Sequence, residues 1–336
     1  MRSYRATLGA GIGGLRLETS ERPVPGRSEV VIRVRAASLS YRELMILRGW
    51  YPLPVKDDVI PVSDGAGEIV AVGEGVERFT VGDRVTAAVF PRWLDGRFSV
   101  EYAAQLGGSL DGLLTEYARL DESALVRIPE HLSFSEASTL PVAAVTAWNA
   151  LTGGRGLQSG ETVLTLGSGG VSLFAIQFAK AFGARVIGTT SSEEKVAALR
   201  ALGADEVLNY REEPDWVARV RELTDGVGVD HVLEVTGALG DALAAVAMDG
   251  EIAFVGLLAD RDGLAPLDVK QLWLAGANLR TLAVGSHAQF LSMMRAIGTN
   301  RIRPVVDRVF AFDDAPEAYR YYESARPFGK VVISLG

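Results

Sequence analysis

Gly167-Ser168-Gly169-Gly170-Val171-Ser172 follows the apolar run Thr162-Val163-Leu164-Thr165-Leu166, and Val171, Phe174, Ala175, Phe178 and Ala181 then recur at helical spacing. A strand, a glycine turn and a helix in that order suit one task. The chain turns tightly, and backbone N–H groups and the positive end of the helix meet a pyrophosphate. Ser172 stands where the six-residue fingerprint has its third glycine, so the helix must pack with one extra hydroxymethyl group. The next apolar run ends in Gly188-Thr189-Thr190-Ser191-Ser192-Glu193-Glu194-Lys195, with neutral hydroxyls where a site for an unphosphorylated ribose places a carboxylate. A 2′-phosphate fits that strand end, with Thr189 and Ser191 nearby and Lys195 to supply charge, which predicts NADPH rather than NADH. A second reading stays open: Ser191 and Glu194 also have capping-box spacing, and Lys195 resembles a solvated helix residue.

Other chemistries are absent. The 336 residues contain no cysteine, so there is no disulfide framework, no thiolate zinc site and no cysteine nucleophile. The three histidines, His131, His231 and His287, are scattered and read as local hydrogen-bonding groups. A formal net charge of −8 without a Lys/Arg cluster argues against a nucleic-acid partner and for a small molecule. The N-terminal residues lack the apolar core of a signal peptide and no apolar stretch reaches membrane-spanning length, so the expectation is a cytoplasmic protein with no membrane partner.

The elements that position these residues follow from periodicity. Short strands at Val30 to Ala36 and Gly67 to Val72, separated by Gly73, Gly75, Gly82 and Asp83, make the first part mostly β. After Leu140 the pattern alternates: a strand at 162–166, a helix, a strand at 184–188, a helix through Leu202, and strands near 206–208, 231–233 and 252–255. That alternation predicts an α/β fold with a parallel sheet and crossover helices over residues 144–286. A helix at His287 to Ile297 and a strand at Lys330 to Ser334 return to the first lobe, giving a β-rich domain of residues 1–143 and 287–336. Residues 90–115 show no assignable period and are read as a loop, with a lobe over the pocket as the other possibility.

The run Pro61-Val62-Ser63-Asp64-Gly65-Ala66-Gly67-Glu68-Ile69-Val70-Ala71-Val72-Gly73, with Val81-Gly82-Asp83-Arg84-Val85 and the glycine turn, resembles the quinone oxidoreductase and enoyl reductase branch of the medium-chain dehydrogenase/reductase superfamily. The resemblance covers nearly the whole chain. It implies a GroES-like catalytic domain, a doubly wound Rossmann domain, an active site in the cleft between them, and a homodimer paired through the sheet edge near Leu279 to Val284. Zinc-dependent members carry cysteine in the segment matching Ala37 to Arg42, Gly-His-Glu at Ser63-Asp64, and another cysteine after Leu140-Pro141. Here Ser40, Ser63 and Val142 fall at or near those places, and none is a good zinc ligand. By the same resemblance Lys195, Tyr210 and Arg326 hold the 2′-phosphate, although Tyr210 also reads as plain strand-end packing. Thr146 resembles the threonine beside the nicotinamide and reads equally as a helix-internal hydroxyl.

Without zinc, reduction of an isolated carbonyl loses its main electrostatic support. A conjugated acceptor, such as an enone, enoyl thioester or quinone, spreads the charge of hydride addition through its π system, and a few hydrogen-bond donors suffice. The expected partner is therefore a small molecule with a conjugated carbonyl. Tyr51, in Gly49-Trp50-Tyr51-Pro52, resembles the pocket tyrosine of enoyl reductases and is the candidate proton source, its alternative being a loop aromatic. Some relatives place a second tyrosine where Met45 stands. Ser40 and Tyr41 are candidates beside the nicotinamide. Arg42 either orients an anionic acceptor or pairs with Glu43 or Asp64 as scaffold, and Asp64 reads as structural. The alternatives are a reductive cyclase of natural-product biosynthesis, a metal-free alcohol or carbonyl oxidoreductase, and a non-catalytic, crystallin-like cofactor binder.

Overall fold

The long strand Glu29–Leu39, whose apolar residues are interrupted by Arg33 and Arg35, and the short strand Thr162–Thr165, buried over its last three residues, belong to two kinds of sheet, one mostly antiparallel and one parallel. In chain order the first elements are β1 (Arg2–Ala6), β2 (Leu15–Thr19), β3 (Glu29–Leu39), α1 (Tyr41–Arg48), β4 (Asp64–Val72), β5 (Arg84–Ala87), β6 (Tyr117–Asp121), β7 (Leu125–Arg127) and α2 (Phe134–Ala137). Next come α3 (Val145–Thr152), β8 (Thr162–Thr165), α4 (Gly170–Ala181), β9 (Arg185–Thr190), α5 (Val196–Ala201), β10 (Glu206–Asn209), α6 (Trp216–Leu223), β11 (Val229–Glu234), α7 (Leu239–Ala245), β12 (Val246–Phe254), α8 (Val269–Ala275) and β13 (Asn278–Thr281). The chain finishes with α9 (His287–Asn300), β14 (Val306–Ala311), α10 (Ala315–Ser324) and β15 (Lys330–Ser334). This computed structural model describes residues 1–256, 267–324 and 327–336. It divides into one unit of Met1–Val145 with Val284–Gly336 and a second of Thr146–Ala283.

In the first unit the sheet runs β14-β15-β3-β4-β5-β7, with β6 paired to β3. All its pairings are antiparallel except β14 with β15. Val30, Ile32, Val34, Ile69, Val85 and Leu113 form one core, and Leu39, Leu44, Leu47, Tyr319 and Ile333 another. β3 and β4 reach further than the apolar alternation predicts. Their extra residues include Ser38 and Asp64, which pair in the ladder and are polar, so hydrophobic pattern does not reveal that pair. Helix α1 is similarly concealed, because its buried positions include Arg42 and Glu43 beside Leu44, Ile46 and Leu47.

Residues 90–115 form a packed loop with one 3₁₀ turn at Val100–Tyr102. Phe90, Trp93 and Phe98 meet edge to face, with centroids 5.0–6.3 Å apart. The Trp93 and Leu94 carbonyls accept from the His287 and Ala288 N–H groups at 2.9 Å. The loop thereby ties to the first turn of α9, whose start carries a Ser286–Gln289 capping box.

The second unit has the parallel order β10-β9-β8-β11-β12-β13, with β13 at the edge. This is a doubly wound Rossmann sheet whose order reverses between β8 and β11. The face of α4 is wider than its spacing suggests: Leu173, Phe174, Ala175, Ile176, Phe178 and Ala179 are all buried, whereas Ala181 is exposed. Trp148 packs edge-on against Phe178 at 5.3 Å. β12 begins at Val246, ahead of the apolar run, because Asp249 at φ 61° and Gly250 interrupt the pattern without ending the strand.

Candidate cofactor and acceptor sites

The glycine turn lies between β8 and α4. Gly167 has φ 78°, a left-handed conformation that disfavours a side chain, and its N–H donates to Thr189 Oγ1 at 2.9 Å. Gly169 precedes the first residue of α4 and makes no side-chain cap, and a Cβ placed on it meets nothing within 4 Å. The N-terminus of this twelve-residue helix thus has open space beside Gly169, with Ser168, Gly170 and Val171 next to it in the chain. That arrangement fits a pyrophosphate. Ser172, at the third-glycine place, is fully buried and turns its hydroxyl onto the Leu166 carbonyl at 3.0 Å, so strand and helix stay close without a glycine.

Thr189 is 2 % exposed, and its hydroxyl serves the Gly167 N–H and the Thr165 carbonyl. It shapes the turn from behind, on the side of the glycine backbone. Ser191 and Lys195 lie just beyond the end of β9, in half-buried positions. The 3₁₀ turn Glu193–Lys195 starts after Ser192 and has no side-chain cap, so the capping-box reading of Ser191 with Glu194 is not what the chain adopts. β10 runs beside β9 with Leu208 opposite Thr189, and the Tyr210 N–H donates to the Thr190 carbonyl at 3.1 Å. Tyr210 is 40 % exposed and so is not core packing. The structure thus gathers Ser191, Lys195 and Tyr210 about the ends of two adjacent strands, while Arg326 lies outside the described residues. Thr146 is buried near the start of α3.

In the first unit a continuous polar layer runs through the core. Ser40 precedes α1 without capping it, because its hydroxyl is 3.1 Å from Asp64 Oδ2. Lys330 donates to Ser40 Oγ at 2.6 Å, the Leu39 carbonyl at 2.6 Å and Asp64 Oδ2 at 3.0 Å. The other Asp64 oxygen accepts the Val142 N–H at 2.8 Å. Glu43 accepts from the Val62 and Ser63 N–H groups, from Ser63 Oγ and from Arg42 Nη1, the last at 2.8 Å. Val62 holds φ 72°, costly for a β-branched residue, while its carbonyl accepts the Leu113 N–H at 2.7 Å.

Arg42 is 3 % exposed and lies over the Tyr51 ring, 5.0 Å from its centroid. Burial opposes its charge, yet Glu43 and Tyr51 outweigh that and hold the guanidinium protonated above its ordinary range. The pairing with Glu43 is therefore the observed arrangement. Nε and Nη2 of Arg42 have no hydrogen-bond acceptor among the described residues. Tyr51 donates to Gln105 Oε1 at 3.1 Å, and Gln105, fully buried, donates to the Pro54 carbonyl at 3.3 Å. Tyr41 is half-buried at the start of α1. On α10, burial and then the Asp64 and Glu43 carboxylates push the Tyr322 phenol up, and burial followed by Glu43 does the same to Tyr319. Met45, at the place of a second tyrosine, brings no acid.

Sequence reasoning missed Lys330 and Gln105. Lys330 heads a terminal strand and looks like a surface residue, and Gln105 sits in the loop whose period could not be read. The histidines have local roles: His131 bonds the Ile302 carbonyl, His287 the Leu125 carbonyl, and His231 stands 3.4 Å from Glu161. Among the described residues no three of His, Cys, Asp and Glu gather as a metal site, and no helix is long and apolar enough to cross a membrane.

Residues 26–130 match the alcohol dehydrogenase GroES-like domain, and residues 170–299 match the zinc-binding dehydrogenase family. A zinc-type alcohol dehydrogenase-like protein of Schizosaccharomyces pombe is 44 % identical over 330 residues, covering 95 % of each chain. An acryloyl-coenzyme A reductase of Sulfurisphaera tokodaii is 31 % identical, covering 95 % of this chain and 96 % of that one. Among solved structures, an NAD-dependent alcohol dehydrogenase superposes with TM-score 0.89 at 34 % identity, covering all of both chains. A mycobacterial protein solved in complex with NADPH superposes with TM-score 0.81 at 28 % identity, again over all of both chains.

Proposed function

The chain belongs to the medium-chain dehydrogenase/reductase superfamily, in its quinone oxidoreductase and enoyl reductase-like branch, and from that premise we propose that it is a zinc-independent, NADPH-dependent reductase of conjugated acceptors. It is an oxidoreductase by family, and the carrying observation for the finer reading is the polar layer around Asp64. Where zinc-dependent members place their ligands, this chain has Ser40, Ser63 and Val142; Asp64 there already holds the Lys330 ammonium at 3.0 Å, and Glu43, bonded to Ser63, already holds the Arg42 guanidinium at 2.8 Å. The donors do not fit a dication: a fixed positive charge beside each carboxylate repels it, and serine and valine supply neither thiolate nor imidazole.

The residues do fit NADPH. The N–H groups around Gly167, Ser168, Gly169, Gly170 and Val171 would hold its pyrophosphate, and Ser191, Lys195 and Tyr210 would hold its 2′-phosphate, with Arg326 an expected fourth partner and Thr146 the residue that would lie beside the nicotinamide. When bound, the cofactor supplies a hydride, which carries two electrons to the far carbon of the acceptor's double bond. Tyr51 gives the proton that completes the saturated product and regains one from water, and Gln105 holds its hydroxyl in orientation. Arg42, with Nε and Nη2 still available, keeps negative charge favourable near the Tyr51 ring.

The acryloyl-coenzyme A reductase likeness supports an acceptor with a conjugated carbonyl. The working protein is a cytoplasmic homodimer in this reading. Consumption of NADPH with a panel of enones, enoyl thioesters and quinones, undiminished by a chelator, is the expected result. No consumption with any of them, or activity restored only by zinc, overturns it. A ring-closed product points instead to a reductive cyclase.

A further inference from the structure

Lys330 is 3 % exposed on a strand that lies between β14 and β3, and the reaction described above makes no use of it. Its ammonium has three protons and three acceptors, the Leu39 carbonyl, Ser40 Oγ and Asp64 Oδ2. Every proton is spoken for, so it acts on its surroundings only through the groups it holds. Ser40 Oγ accepts from it at 2.6 Å, which leaves the Ser40 proton directed along a longer 3.1 Å contact to Asp64. Asp64 does not depend on that contact, since Oδ2 keeps Lys330 and Oδ1 keeps the Val142 N–H. The Ser40 hydroxyl can therefore swing to an incoming oxygen while every other bond in the cluster stays made. Accepting from a cation polarises it and makes it a stronger donor. Ser40, at 6 % exposure, is also the most accessible of the three, against 3 % for Lys330 and none for Asp64.

We propose that Lys330 is a positioning residue of the acceptor site: it polarises the Ser40 hydroxyl, which donates to the acceptor's carbonyl oxygen as negative charge gathers there. The ammonium supplies through serine the positive field that a metal supplies directly. No proton leaves Ser40 or Lys330, because the interaction is a hydrogen bond and nothing more. The inference rests on the reading of the chain as a reductase of conjugated acceptors, and its test is separable from that reading.

The test is a mutant cycle. Ser40→Ala lowers kcat on an enone about a hundredfold, as loss of one preorganised oxyanion donor does, with KM for NADPH unchanged. Lys330→Met alone strands the Asp64 charge in the core and risks unfolding, so the informative variant is Lys330→Met with Asp64→Asn, which removes both charges together. It keeps a cooperative unfolding transition and loses at least about tenfold in kcat by the same logic. Added to Ser40→Ala it costs nothing further, whereas a merely structural lysine gives losses that multiply. Binding supplies the second readout: nitronate of nitrocyclohexane, a stable mimic of a cyclic enolate, is titrated into the NADP⁺ complex by tryptophan fluorescence. Its Kd rises in Ser40→Ala and in the paired variant, and rises no further in the triple variant. Wild-type kcat and nitronate affinity in the paired variant, multiplying losses, or a wild type that binds no nitronate each overturn the proposal. Turnover of no conjugated acceptor overturns the reductase reading instead, and the nitronate cycle still decides the role of Lys330.

Discussion

Replacing Lys195 with alanine should weaken NADPH and leave NADH almost untouched. The 2′-phosphate carries about −1.5 to −2 charges near neutral pH, and a hydrogen bond to such a group contributes about 1.5–3 kcal/mol. Lys195 is half-buried in a turn just past the end of β9, beside the half-exposed Tyr210, so solvent screening holds the contribution to the low end of that range. At about 1.4 kcal/mol per decade, the expected change in NADPH Kd is about 10- to 30-fold. Tyr210→Phe removes a neutral donor and should cost about three- to tenfold. Fluorescence titration with both nucleotides, at low and high salt, reads these numbers, and the NADPH advantage should shrink as salt rises. Ser191→Asp, which puts a carboxylate where a ribose diol accepts it and a phosphate does not, should turn the preference toward NADH. Equal weakening of both nucleotides by Lys195→Ala, or tighter NADH than NADPH in the unaltered protein, refutes the reasoning.

Four further outcomes are expected. Tyr51→Phe should lower kcat by about 10²- to 10³-fold while leaving NADPH Kd unchanged, with about 1 kcal/mol lost in denaturant titration for the bond to Gln105; unchanged kcat removes Tyr51 from the reaction. Gly167→Ala, at φ 78° with a Cβ 3.3 Å from Thr236, should cost about 1–2 kcal/mol and weaken both nucleotides, which a urea midpoint equal to wild type contradicts. Acid should destabilise the fold in two stages. Burial, with Arg155 adding to it, holds His231 below its ordinary 6.5, and burial does the same to His287, so the unfolded chain binds more protons and stability is lost as pH falls through about 6.5. Burial pushes Asp205 up but Lys180 and the Val186 N–H outweigh it, so its contribution is lost at lower pH still; a urea midpoint that is the same at pH 7.5 and 5.5 excludes the histidine stage. Light scattering should report twice 35.9 kDa, and Trp273→Glu on α8, which leads into the edge strand β13 and exposes Val269, Trp273 and Leu274, should give the monomer. A dimer indifferent to that charge places the interface elsewhere.

The sequence was most legible where a period or a fixed turn carried the information. The parallel sheet followed from apolar runs between helical repeats, and the glycine turn was recognisable because strand and helix flanked it. The buried polar layer was legible in part: Arg42 with Glu43 or Asp64 was read as scaffold, while Lys330 drew no such reading. Arg42, Glu43, Asp64 and Lys330 break the hydrophobic pattern of the elements they occupy, and only tertiary pairing makes their burial tolerable. Thr189 was read as one of the neutral hydroxyls at the strand end, and its role in bracing the Gly167 N–H needed the fold to show it. Gln105 is fixed by Tyr51, Pro54 and Ser109 and the 90–115 loop by three aromatic rings and two backbone bonds to α9, none of which leaves a regular spacing. The resemblance located Ser40, Ser63 and Val142 as vacated metal positions, but nothing in their spacing pointed to a lysine nearly three hundred positions away.

β15 is inserted between β14 and β3, so the sheet of the first unit closes only when Lys330–Ser334 arrive. A ribosome finishes the second unit, ending at Ala283, while the first still lacks an interior strand and Asp64 still lacks its cation. Synthesis order therefore separates two maturation events: the second unit can fold early, and the Asp64 cluster is completed only when the strand that carries Lys330 arrives. A nascent chain stalled short of Lys330 is expected to bind nucleotide and reduce nothing.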